Sequence, residues 1–289
     1  MRIPAHSLAF GLSVLSLLVA GCAGRGGAPL PLTEPVAGSA ASVGSNGSLW
    51  IPAALATFAI QYGGSKLDTN VKADVYDVDG FDTSAAMVTQ LHNDGRHVVC
   101  YIDVGTWENW RPDAKKFPKS VLGKPDGHWK GERWLDIRQL SVLEPIMSAR
   151  FEMCQDKGFD AVDPDNIDGY QNNTGFKITA SQQLTYDRWV AKRVHSFGLS
   201  VAQKNDNNQV NALRPSFDWA VLEQCYKQGW CKQFTRYTDS NRLVVDIEYG
   251  LPKSEFLHRA CPVTKSYRET GLLKHLNLDA WVVTCPGSP

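Results

Sequence analysis

The chain has 289 residues, of which 43% are hydrophobic and 21% charged, an ordinary globular composition. Thirty Lys and Arg balance thirty Asp and Glu, so the net charge is zero, which argues against a nucleic-acid partner and against an acidic disordered chain. No internal run reaches the ~20 apolar residues of a membrane span, and seven cysteines point to an oxidising compartment.

In chain order, residues 1–21 read as an export signal. Met1-Arg2 opens a short basic region and Ser7–Ala20 is uncharged and mostly apolar. The stretch ends in Leu18-Val19-Ala20-Gly21-Cys22, which resembles a bacterial lipobox. Cleavage there would leave Cys22 lipidated and the protein held at the cell envelope or surface. An ordinary secretory signal would release it instead. Residues 22–48, rich in Gly, Ala, Ser and Pro, read as a flexible tether. Residues 49–289 read as one domain.

Within that domain eight strands are expected: Thr57–Tyr62, Val75–Val78, Val98–Asp103, Phe159–Asp163, Ser200–Lys204, Trp219–Glu223, Leu243–Ile247 and Ala280–Thr284. Helical patterns run over Thr83–Asp94, Val142–Lys157 and Thr179–Phe197, each stopped by a glycine. This alternation predicts an α/β fold, a single TIM-like (β/α)8 barrel. The competing doubly wound sheet would usually carry a Gly-rich phosphate turn, and neither GxGxxG nor GxxxxGK[ST] occurs.

Acidic and amide residues gather at the strand ends: Asp77 and Asp79, Asp103, Asp163-Pro164-Asp165-Asn166, Lys204-Asn205-Asp206, Glu223-Gln224, and Asp246-Ile247-Glu248-Tyr249. A barrel brings such ends to one mouth, where crowded carboxylates repel one another. Asp79 and Asp206 are expected to cap the helices that follow. Two acids flanking a bond suit glycoside hydrolysis; no GxSxG nucleophile is present. The run Asp163-x-Asp165-x-x-Asp168-Gly169 fails as a calcium loop, with Ile167 fifth and Thr174 twelfth, and no HExxH occurs. No metal or cofactor is therefore expected. Trp107, Trp110, Trp129 and Trp134 lie in a turn-rich segment after the third strand, and indole faces suit sugar rings. Trp107 is the expected ligand contact and Trp134 the structural one.

Five blocks carry a family resemblance: Cys100–Arg111 (CYIDVGTWENWR), Gly131–Arg138 (GERWLDIR), Gly158–Tyr170 (GFDAVDPDNIDGY), Lys204-Asn205-Asp206, and Phe217-Asp218-Trp219 through Glu223-Gln224-Cys225. From about Trp50 onward the chain resembles the endo-α-1,4-polygalactosaminidases of glycoside hydrolase family 114. The resemblance implies a TIM-like barrel that cleaves α-1,4-linked galactosamine polymers internally. It makes Asp165 one catalytic carboxylate and Glu223 the other; analogy with barrel α-galactosidases makes Asp165 the nucleophile and Glu223 the acid. Asp163 competes with Asp165, and strand alternation puts both on one side. Asp103, Trp107, Asp168, Tyr170, Lys204, Asn205 and Tyr249 become substrate-shell candidates. Asp246 and Glu248 are the next candidates for the acid. Gln203 and Leu222 depart from the family pattern.

The expected partner is a galactosamine-containing polysaccharide, with a membrane met only through the lipid anchor, no nucleic acid, and a monomeric state. A surface lipoprotein that only binds polysaccharide, and a glycosidase for another α-linked amino-sugar or galactose polymer, are the alternative readings. Chain positions predict three disulfides: Cys100–Cys154, Cys225–Cys231 and Cys261–Cys285.

Overall fold

The computed structural model describes residues 49–64, 66–127 and 129–286. The expected signal, the expected lipidation site Cys22 and the whole of the expected tether, residues 22–48, lie outside them. Among the described residues no helix is long and apolar enough to cross a membrane.

The strands in chain order are β1 Phe58–Gln61, β2 Val75–Asp79, β3 His97–Asp103, β4 Thr106–Glu108, β5 Leu122–Pro125, β6 Glu132–Leu135, β7 Ala161–Asp165, β8 Ser200–Lys204, β9 Trp219–Glu223, β10 Val244–Tyr249, β11 Thr270–Lys274 and β12 Val282–Thr284. Nine of them form a curled sheet in the order β1-β2-β3-β7-β8-β9-β10-β11-β12, and β4-β6-β5 form a small second sheet. Every pairing from β1 to β11 is parallel. The long helices α1 (Ala85–Asn93), α2 (Leu140–Asp156) and α3 (Ala180–Ser196) connect these strands. Ser84 caps α1 through Met87 N–H, and Thr179 with Gln182 forms a capping box on α3. Each helix ends two residues before a glycine with positive φ, with one capping residue between: Gly95, Gly158 and Gly198.

The eighth parallel strand is Thr270–Lys274, not the expected Ala280–Thr284. Only Val282–Thr284 of that segment is extended, and it turns back antiparallel to β11 with Lys274 opposite Val282. Its pattern concealed β11, because Gly271 interrupts a short apolar run. The glycine is required: a Cβ there would lie 2.8 Å from Cys285 Sγ and 3.0 Å from Thr264 Oγ1. Among the described residues no ladder joins β1 to β11 or β12. That seam is spanned by Tyr62 and Gly63 N–H donating to Leu278 O, both 3.1 Å, and by Thr270 Oγ1 donating to Ala56 O at 3.0 Å. A cavity of about 100 Å3 lies along it, lined by Ile60, Tyr76, Leu272 and Val282 among others.

Period-two alternation sets the two faces of the sheet. Phe58, Ile60, Val75, Val99, Ala161, Ala202, Trp219, Val221, Val245, Ile247 and Leu272 belong to one buried cluster, on the concave face. Tyr76, Val78, Val98, Cys100, Ile102, Val162, Val201, Ala220, Leu222 and Val244 pack with the helices. Disulfides join Cys100 of β3 to Cys154 of α2, Cys225 to Cys231 in the turn after β9, and Cys261 to Cys285 beside β11.

Glu269 is a buried acid on the helix side, at the start of β11. Its Oε1 has no hydrogen-bond partner among the described residues, and burial pushes its carboxyl up to about 8. An unfolded Glu titrates near ~4.3, so the native state holds a proton that the unfolded chain has lost. Stability from this group is therefore full below ~4 and declines as the pH rises through about 8. Glu269→Gln should match wild type in thermal scans at pH 4 and gain several degrees over it by pH 8.5.

Candidate active site

Continuing the inward register two residues past the apolar layer places Tyr62, Asp77, Tyr101, Asp163, Lys204, Glu223 and Tyr249 over the apolar floor, with Asp103 and Asp165 one step higher. At the centre is the Lys204 ammonium, 3% exposed, with Nζ 3.4 Å from Asp165 Oδ1, 3.6 Å from Asp163 Oδ2 and 3.9 Å from Glu223 Oε2. Burial alone would strip its charge, but the three carboxylates outweigh burial and hold its pKa well above the usual lysine range.

The carboxylates differ in access. The side chain of Asp163 is 0% exposed, against 21% for Asp165 and 29% for Glu223. Tyr101 O–H donates to Asp165 Oδ2 at 2.8 Å, and Asn166 N–H donates to its Oδ1 at 2.8 Å. Glu223 receives Tyr249 O–H on Oε1 at 2.8 Å and the Asn205 amide on Oε2 at 3.1 Å; Asn205 Oδ1 accepts Glu223 N–H in return. Asp163 accepts from Tyr62 O–H at 3.2 Å, and its Oδ1 has no partner among the described residues. Burial pushes Asp163 up to about 6, Lys204 opposes this, and Asp165 and Glu223 add to it. Asp77 lies deeper still; burial, then the charge of Asp163, raises its carboxyl well above the usual range. The open pair is Asp165 and Glu223, and Asp163 belongs to the layer beneath.

The turns after these strands use unusual backbone. Asn166, Asn205, Asp206 and Gln224 all have positive φ, at 61°, 46°, 47° and 59°. Gln203 explains part of this: its amide donates to Asn205 O and Asp206 O, while its Oε1 accepts from Tyr237 O–H at 2.9 Å. Leu222 packs in the helix-side core.

The other candidates fall into distinct positions. Asp103 is buried; its carboxylate accepts from Gly105 N–H, Thr106 N–H and O–H, and the Asn166 amide, so it orients that turn. Burial, Glu108 and Asp165 raise it to about 7. Asp168 is half-buried and raised to about 6 by burial, Asp165 and Glu223. Tyr170 O–H donates to Asp206 Oδ1 at 2.9 Å. Neither acid caps the helix that follows: Asp206 takes Tyr170 and Gln171, and Asp79 accepts Phe81 and Asp82 N–H in the turn before α1, whose cap is Ser84. Asp246 and Glu248 fall on the helix side: they accept Cys225 N–H and the N–H groups of Tyr226 and Lys227. Trp107 is half-buried and its indole N–H donates to Ala114 O at 2.9 Å, which ties it to its own loop. Trp134 is buried, while Trp110 and Trp129 are exposed.

Sequence reasoning passed over Tyr62, Tyr101 and Glu132. Both tyrosines share the inward parity of their strands, a signal that was available. Glu132 reaches the site only through the pairing Glu108↔Glu132 of the small sheet, which no local pattern announces. Burial, then Asp103, Glu108 and Asp165, push its carboxyl up to about 9.

Two accessible carboxylates over a shared cation, at the C-terminal ends of a curled parallel sheet, define a glycoside hydrolase. The chain belongs to glycoside-hydrolase family GH114, whose model matches residues 39–289. Among solved structures it is similar to Aspergillus fumigatus Ega3, determined in complex with galactosamine, at 32% identity over 84% of this chain and 100% of that one, with a TM-score of 0.79. The glycoside hydrolase domain of PelA from Pseudomonas aeruginosa shares the fold at 13% identity, covering 79% of this chain and 98% of that one, with a TM-score of 0.63. Comparison with curated protein sequences gave no match.

Proposed function

We propose that this glycoside hydrolase cleaves α-1,4-linked galactosamine-containing polysaccharide internally, with Asp165 and Glu223 as its catalytic carboxylates. The observation that carries the roles is access: Asp165 and Glu223 are open to the mouth while Asp163 is sealed beneath them. The similarity to Ega3 with galactosamine supports the substrate class. Tyr101 and Asn166 hold the Asp165 carboxylate as nucleophile toward the anomeric carbon. Glu223 gives a proton to the departing glycosidic oxygen, and Lys204 then stabilises the carboxylate it leaves behind. The same reading takes the seam between β1 and β11 as the closing point of a (β/α)8 barrel. Incubation with partly deacetylated galactosaminogalactan should release a ladder of reducing oligosaccharides. An Asp165→Asn protein should release none; monosaccharide as the sole product would overturn the endo-acting reading.

The reading extends to location: a monomer held at the cell envelope by lipid on Cys22, with residues 22–48 as the tether. The protein should partition into detergent, and Cys22→Ser should release it to the aqueous phase. A mature N-terminus at any other residue would overturn the anchor.

A further inference from the structure

The small sheet β4-β6-β5 rises from the end of β3 and is fastened to the catalytic strand. Val104 N–H donates to Asp165 O at 3.2 Å, and Gly105 lies so close to Asn166 that a Cβ would meet its carbonyl oxygen at 1.8 Å. Leu135 N–H donates to Gly105 O at 2.9 Å, carrying the fastening into β6. Period two puts Thr106 and Glu108 of β4 on one face, with Glu132 of β6 opposite Glu108. That face is buried against the end of the curled sheet, where Thr106 O–H lies between Asp103 and Glu132. Trp110 follows in the turn that leaves β4.

Trp110 is held yet uncovered. Asn109 N–H donates to Gly131 O at 3.1 Å, and Gly131, at φ 101°, lies under the indole: a Cβ there would be 3.0 Å from Trp110 Cζ3. The next residue, Arg111, is fixed by paired bonds to Asp79, at 2.9 and 2.7 Å, and by Glu108. Trp110 nevertheless remains 51% exposed, and Trp129 on the same arm is 46% exposed. An indole so exposed on a loop so well fastened offers a fixed apolar surface to a ligand.

We propose that Trp110 is a remote sugar platform, which holds a pyranose ring of the polymer several residues from the bond being cut. The occupant is an amino-sugar chain. The C–H face of a pyranose stacks on indole, and a protonated ring amine adds attraction to the same π surface. Arg111 fastens this loop to Asp79 at the C-terminal end of β2, so Trp110 stands at the same end of the sheet as Asp165 and Glu223. This rests on the polysaccharide substrate class proposed above.

The test compares chain lengths. Trp110→Ala should raise KM for long partly deacetylated polygalactosamine about tenfold, the scale of one stacking contact, with kcat unchanged. The shortest oligosaccharides that are cleaved should behave as with wild type, and Trp110→Phe should recover most of the loss. Binding read separately by affinity electrophoresis on the Asp165→Asn background should weaken in parallel. An active wild type with an indistinguishable Trp110→Ala overturns the platform alone. Equal losses on long and short chains with a lowered Tm also overturn it, in favour of a structural role. A wild type that neither cleaves nor binds the polymer overturns the substrate class and the platform together.

Discussion

Asp165→Asn should fold normally and lose at least about three orders of magnitude in kcat on every substrate, natural or activated. Glu223→Gln should lose about two to four orders on the polymer, the range of general acid catalysis, yet retain measurable turnover when the leaving group needs no proton. The contrast follows from position. Asp165 is presented to the mouth by Tyr101 and Asn166, whereas Glu223 is held by Tyr249 and Asn205 on the facing strand end. Parallel assays with the polymer and with an aryl glycoside of galactosamine separate the two. If Glu223→Gln keeps most of its activity on the polymer, the acid lies elsewhere; Asp168, half-buried and raised to about 6, would then be the nearest alternative.

Lys204→Met should be the most damaging change that removes no carboxylate. It deletes the ammonium that lies within 4 Å of Asp163, Asp165 and Glu223 together. Breaking a buried pair on one side typically costs ~3–5 kcal/mol, because the remaining charge is left uncompensated. Asp163 is already raised to about 6 against the pull of Lys204, so without that pull its folded pKa rises further. A raised carboxyl contributes stability below its unfolded value near ~4 and loses it as the pH climbs through the folded value. The variant should therefore trail wild type by ~3 kcal/mol or more near pH 7.5 and by clearly less at pH 4.5. Urea unfolding at the two pH values measures this. An equal deficit at both would mean that the lysine stem, rather than its charge, supports the core.

Much of this was legible in the sequence, and the exceptions have causes. Ser200–Lys204 and Trp219–Glu223 were readable to the residue because apolar runs meet a polar end where the chain leaves the sheet. The family blocks named Asp165 and Glu223, but alternation could not separate Asp165 from Asp163. That choice depends on depth, which a period-two pattern does not encode. Asp246 and Glu248 looked equivalent to Glu223 as acids after a strand; their parity assigned them to the helix side, where backbone N–H groups receive them. Trp107 attracted attention by type, yet its indole N–H is spent on Ala114 O. Thr270–Lys274 was hidden by Gly271, whose presence answers to a disulfide distant in sequence.

The left-handed turns place a constraint on any attempt to harden this protein. Asn166, Asn205 and Gln224 each follow a strand end that carries Asp165, Lys204 or Glu223, and all three sit where a side chain is strained. Glycine would relax that backbone. At two of these positions it would also delete the amide that binds Asp103 or Glu223. Asparagine is the residue that tolerates the turn and still supplies the amide. Selection for thermal endurance alone would erode those positions, and a library screened for survival without turnover should drift to glycine there and fall silent.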